Sequence, residues 1–293
     1  MAKLCPTPII ADPAGPDDFV RALEALPAVP IVLTRLMRLL ESECSTTSDV
    51  IDLIMIDSGI AARVLRIGSS AYYATPEGRC ETVEEAVKRI GFIQVQKVVS
   101  FVAASDLLLR PLVAYGLTPE DAFRRSVTCA LAADHLADHV GVNRGIAYTA
   151  GLLHGLGLIA VDLWTRSFRP ELRFESDGLP NETSEAERRA LGFSNAAVGG
   201  ALLKLWDFPV SLVEPVACQY DPRAAKEEPL LACLLHVAKW LRDAAHLPDE
   251  APLPPLPAPA ILDTLRLIPS ALEIGLYQVR AAYHETARVL QAG

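Results

Sequence analysis

Apolar side chains fall three and four residues apart along most of this chain, the spacing that gathers them on one side of a helix. Phe19, Val20, Leu23 and Leu26 form the first such stripe, after an acidic start at Asp17. Leu26-Pro27-Ala28-Val29-Pro30 breaks it and launches a second helix through Leu33, Leu36, Met37 and Leu40. Thr47 or Ser48 can cap a third, which buries Val50, Leu53 and Ile54, and Asp57-Ser58 opens a fourth carrying Ile60, Val64 and Leu65. Thr82-Val83-Glu84-Glu85 gives a fifth helix a capped, acidic first turn. A long apolar segment from Ile93 to Leu109 ends at a break over 111–116. Thr118-Pro119-Glu120-Asp121 then combines a cap, a first-turn proline and two acids, so a long helix runs from there to Gly141.

The most apolar stretch comes next. Between Arg144 and Asp162 lie seventeen residues without a charged side chain, with His154 near their centre. Ala147, Gly151 and Gly155 recur every fourth place, which predicts one face open to close backbone contact. The stretch reads as the central buried helix of a lobe. It only just reaches the roughly 17–25 residues needed to span a bilayer, and its glycines and histidine favour a protein surrounding. Arg166 to Ser184 is polar, holds Pro170, Gly178 and Pro180, and reads as a loop. Further helices are expected over 184–191, 194–206, 209–219 and 229–246. Six prolines in the twelve residues from Pro248 to Pro259 make an extended linker or surface strap. A last helical segment covers 260–290 with a break at Pro269. No segment alternates with period two, so the fold class is all-α.

These signals divide the chain into a flexible arm (1–16), a first helical lobe (17–115), a second (116–246), the Pro-rich linker (247–259) and a C-terminal helical segment (260–293). With 293 residues, 51% of them hydrophobic, there is ample material for a core. A formal charge of −9 argues against nucleic-acid binding, which needs clustered Lys and Arg. The six cysteines are scattered with no C-x-x-C pair and read as reduced thiols. The proline-punctuated N-terminus lacks the apolar core of a secretory signal, so a cytoplasmic place without membrane association is expected.

Four motifs follow one another in a telling order: Leu26-Pro27-x-Val29-Pro30, Leu65-Arg66-Ile67-Gly68-Ser69-Ser70-Ala71-Tyr72-Tyr73, Glu85-Ala86-x-x-Arg89-Ile90-Gly91-Phe92, and Gly151-Leu152-Leu153-His154. Together they resemble the HDOD family, the HD-related output domains of bacterial signalling proteins, over roughly residues 18 to 245. The chain departs from the family pattern at Asp57-Ser58, where Asp-Pro is usual, and at Gly68-Ser69-Ser70-Ala71, where Ala-Asn-Ser-Ala is usual. The resemblance implies a two-lobed all-helical fold. It also implies a second lobe similar to the HD phosphohydrolases, which hold divalent metal with a histidine, a His-Asp pair and a later aspartate.

A metal that activates water needs several converging lone pairs and carboxylates to balance its charge. On this resemblance, the first histidine corresponds to Arg125, a permanent cation without a lone pair. The His-Asp pair reads His154-Gly155, a later histidine position falls at Asn195, a His-His position near Gln219-Tyr220, and the final aspartate at Lys239. One ligand survives and cations replace two others, so no metal or other cofactor is expected. The degenerate positions Arg125, His154, Gly155, Asn195 and Lys239 are candidates for an anion or partner pocket. Pairing of Arg124 and Arg125 with acids such as Asp121 is the plainer alternative.

Other features carry less. His135 and His139 share a helical face but lack companions for zinc, Asn181-Glu182-Thr183 fits a glycosylation sequon only in a secreted chain, and Cys129 has no activating histidine in an evident motif. No P-loop, nucleophile elbow or dinucleotide loop is present. The expectation is a non-catalytic signalling adaptor whose partners are response regulators or cyclic-dinucleotide enzymes. With no receiver, GGDEF or EAL domain fused, regulation is expected from a separate chain. The alternatives are a divergent metal-dependent phosphohydrolase and a nucleotide-sensing domain without hydrolysis.

Overall fold

The computed structural model describes residues 13–23, 31–42, 44–73, 78–174, 180–248 and 250–291. Among them there is no strand, only an isolated antiparallel bridge between Leu112 and Leu117. The motif at Leu26 to Pro30 and most of the 1–16 arm lie outside the described residues.

The first lobe contains α2 (Ile31–Glu41), α3 (Thr47–Ile56), α4 (Ser58–Gly68), α5 (Val83–Ile90) and α6 (Phe92–Leu108). The second contains α7 (Pro119–Val140), α8 (Arg144–Leu153), α9 (Leu156–Phe168), α10 (Pro180–Leu191), α11 (Asn195–Leu205), α12 (Val210–Ala217) and α13 (Pro229–Ala245), followed by α14 (Pro259–Thr264) and α15 (Pro269–Gln291). The opening helix α1 (Pro16–Arg21) does not stay with the first lobe: it packs on α11, and fully buried Phe19 meets the rings of Trp164 and Phe193, each at 5.3 Å.

Local chemistry sets most helix ends. Thr46, rather than Thr47 or Ser48, caps α3 in a reciprocal box with Asp49. Asp57, Thr82 and Thr118 cap α4, α5 and α7 as their sequences predict, and Gly141 ends α7 at φ 78°, a left-handed position that suits glycine. Two expectations need correction. The 166–184 loop is shorter than its polarity suggests, because α9 continues to Phe168 and α10 begins at Pro180. The expected helix over 144–162 is two helices, since the chain breaks at His154-Gly155.

The apolar length of Arg144–Phe168 suffices to cross a membrane, yet 83% of its most apolar window is buried in the protein. Glycines permit that packing. A Cβ at Gly151 would lie 2.7 Å from the Cys129 carbonyl oxygen of α7, and one at Gly157 only 1.8 Å from the Asn195 carbonyl oxygen of α11. Gly155 belongs to a different class, with no foreign atom nearer than 3.9 Å, because the break turns it away from the close-packed face.

Polar contacts tie the lobes. Lys97 of α6 donates to Asp134 of α7 at 2.7 Å, and Arg144 holds the same carboxylate at 2.9 Å. The Asn143 side-chain amide donates to the Leu40 carbonyl while its oxygen caps α8, and Ser211 donates to Glu41. The Pro-rich segment is a strap on its own domain: the Trp240 indole N–H donates to the carbonyls of Pro254 and Pro255.

Gly157→Ala should cost at least about 3 kcal/mol in urea unfolding, despite alanine's better helix propensity, because two backbones would have to separate. Gly155→Ala should unfold close to the native midpoint; equal losses for the two would contradict this packing.

Candidate functional site

The α8–α9 break brings a histidine to the floor of a cavity of about 100 Å³. The sequence-predicted Arg125, His154, Gly155 and Asn195 all line it, as do Gln219 and Tyr220. Lys239 does not. Its ammonium is buried without a hydrogen-bond partner among the described residues, 3.5 Å from the centroid of the Tyr220 ring, and Lys239 lines a second cavity beside the strap. The cation that does enter is Arg242, one turn further along α13.

Arg242 determines the state of His154. Its Nη1 lies 2.6 Å from His154 Nε2, and a guanidinium can only donate, so Nε2 accepts. The imidazole proton must then sit on Nδ1, which donates to the Gly151 carbonyl at 2.6 Å. Burial first, and then the Arg242 and Lys239 charges, hold His154 well below its usual pKa. Arg242 is itself 4% exposed and pairs bidentately with Asp243 through Nε and Nη2, each at 2.8 Å. Arg125 reaches the same carboxylate at 3.9 Å, whereas Arg124 pairs with Asp121. The Gln219 amide donates to the His154 carbonyl at 3.0 Å, so the break is held by a side chain as well as by the ring.

A second polar cluster adjoins the cavity through its lining residues Tyr115, Asn195 and Tyr220. Fully buried Glu187 of α10 accepts from the Tyr115 hydroxyl at 2.6 Å, from the Asn195 backbone N–H at 2.6 Å and from its side-chain amide at 2.8 Å. Burial pushes its carboxyl up even so. The same amide donates to the Tyr220 hydroxyl at 3.0 Å.

The HD resemblance implies a divalent cation here, and the donor set fits one poorly. The only imidazole lone pair is engaged by a guanidinium, Arg125 and Arg242 face the cavity, and the nearest carboxylate is committed to both. Among the described residues no three His, Cys, Asp or Glu side chains could hold a metal ion together. His135 and His139 are no exception, with Gly275 of α15 packed against His135. Cys129, buried with its thiol pushed up to about 12, is no nucleophile.

Sequence reasoning missed Arg242, Asp243, Glu187 and Ser126. A signal existed for the first two: Lys239, Arg242 and Asp243 crowd one turn of an otherwise apolar helix.

The HDOD domain family model matches residues 26–222. A solved candidate signal-transduction protein from Marinobacter aquaeolei superposes with a TM-score of 0.70 at 21% identity, covering 91% of this chain and 60% of its own. A candidate phosphohydrolase from Shewanella amazonensis gives 0.66 at 24% identity, covering 93% and 97%. At these identities the likeness is one of fold. An uncharacterized protein of Treponema pallidum is 24% identical over 245 residues, and the chain spans 45% of that relative's length.

Because unfolded His154 takes up a proton near its usual 6.5 and the folded ring resists it, the unfolded state binds more protons below that pH. Stability from this group is complete above about pH 6.5 and is lost as the pH falls. His154→Gln should therefore lose less stability than the native chain between about pH 7.5 and pH 5.5 in urea unfolding. Parallel losses would mean that His154 is not the neutral acceptor described.

Proposed function

The chain belongs to the HDOD domain family, and on that premise we propose that it is a non-catalytic output module of signal transduction, working by binding other proteins. The observation that carries this reading is the Arg242–His154 hydrogen bond, which spends the lone pair that metal-dependent hydrolysis would need. Gly155 supplies no carboxylate, and Arg125 brings positive charge to a place where a metal would require the opposite. The HD metal site is, on this view, lost, and the helical scaffold around it retained.

A module of this kind acts through its surface, and the partner classes that fit are response regulators and cyclic-dinucleotide enzymes. The cytoplasm is the compartment in which such partners and reduced cysteines would meet. Binding through a shared surface suits two lobes joined by the ion pair of Lys97 on α6 with Asp134 on α7, which Arg144 also holds.

Elemental analysis of the full chain, purified without chelator, should find only substoichiometric Mn, Fe or Zn, and phosphodiester substrates should survive incubation with added metal. Capture from the native extract should return a response regulator or a cyclic-dinucleotide enzyme. Stoichiometric metal together with turnover, both abolished in His154→Ala, would overturn the proposal.

A further inference from the structure

The cavity on His154 keeps features that a merely filled-in site does not need. Arg125 makes no hydrogen bond to the protein among the described residues; its closest acid is Asp243 at 3.9 Å, and its side chain is 37% exposed. Arg242 turns Nε and Nη2 to the two oxygens of Asp243 and gives one Nη1 N–H to His154, so among the described residues the second Nη1 N–H has no hydrogen-bond partner. Ser126, beside Arg125 on α7, is 5% exposed and lines the same cavity. Its hydroxyl makes no hydrogen bond to the protein among the described residues and opens on the cavity. The charged side chains that line the cavity are both guanidinium groups, Arg125 and Arg242, and their shared carboxylate, Asp243, is not part of the lining. The other carboxylate nearby, Glu187, is already engaged by Tyr115 and Asn195.

The rest of the lining is of another kind. Leu158, Ile159 and Phe174 add apolar surface to it. A cavity of about 100 Å³ holds a compact group, well below the roughly 300 Å³ at which sites for drug-sized ligands begin.

We propose that this cavity binds a small organic oxyanion, a carboxylate or phosphate group carried on a compact apolar body. The oxyanion sits between Arg125, the free Nη1 N–H of Arg242 and the Ser126 hydroxyl. Guanidinium groups suit both head groups, since their forked donors match paired oxygens. The apolar body lies against Leu158, Ile159 and Phe174. Binding completes the unused donors without disturbing the Arg242–His154 contact. The protein would thereby respond to a metabolite while remaining a binding module; the proposal rests on the non-catalytic reading, since a bound phosphate ester must survive intact.

Calorimetry on the full chain with benzoate, phenyl phosphate and the neutral benzyl alcohol separates the outcomes. At least one anion should bind, the alcohol should not, and Arg125→Gln should weaken the anion at least about tenfold. Ser126→Ala, which removes one hydroxyl and leaves the helix backbone as it is, should weaken it in the same direction. Whichever anion binds more tightly identifies the head group as carboxylate or phosphate. Absence of heat with both anions, equal binding of the alcohol, or unchanged affinity in Arg125→Gln would each overturn the site and leave the non-catalytic reading standing. Release of phenol from phenyl phosphate in the presence of Mn would instead sink that reading, and the benzoate arm would still judge the pocket.

Discussion

The second lobe depends on how one buried guanidinium is satisfied. Taking Arg242 out of water costs several kcal/mol unless its donors are met, and Asp243 meets only one side of it. The remaining terminal nitrogen needs a neutral acceptor, and His154 Nε2 provides it. That choice propagates. It fixes the tautomer, which sends Nδ1–H to the Gly151 carbonyl and pins the ring to the end of α8. Gln219 then takes the carbonyl of His154, so α12, α13 and the α8–α9 break are joined through one residue.

This arrangement requires helices that approach more closely than ordinary side chains allow. Gly151 lets α8 settle onto the backbone of α7, which carries Arg125 and Ser126. Gly157 lets α9 meet the first turn of α11, which carries Asn195. With both contacts made, residues far apart in the chain face a common space. The cation over Tyr220 is a different matter: burial and the Arg242 charge hold Lys239 well below its usual pKa, and its ammonium sits against the Tyr220 ring.

How legible this was in the chain varied with the physics involved. Helix starts at Asp57, Thr82 and Thr118 could be read because capping is local chemistry. The break at His154 could not, since apolar residues continue through it without a proline and the signal for stopping is a tertiary hydrogen bond from Gln219. The loop over 166–184 was overestimated because polarity marks exposure, and an exposed helix is polar too. At the site, the ordered motifs brought out Arg125, His154, Gly155 and Asn195, which share a cavity. On α13 they selected Lys239, whereas Arg242 is the residue that enters. Both are cations in the same short stretch of a buried helix, and sequence alone does not say which side of such a helix faces a cavity. Glu187 was invisible for a plainer reason: α10 reads as a charged surface helix, and only the fold turns one of its carboxylates inward.

The open space around Gly155 bears on how reversible this architecture is. A Cβ there would meet nothing closer than 3.9 Å, so the backbone at that position does not itself demand glycine. A carboxylate placed there would stand beside a histidine already bound to Arg242. On the proposed reading, the obstacle to metal binding lies on another helix, in a cation whose own removal would strand Asp243. Steps toward a metal site would then be order-dependent: the change that looks most direct has no value until a more costly one has been made. On that reading α9 and α13 resist metal together, by epistasis, and not through the absence of a single carboxylate.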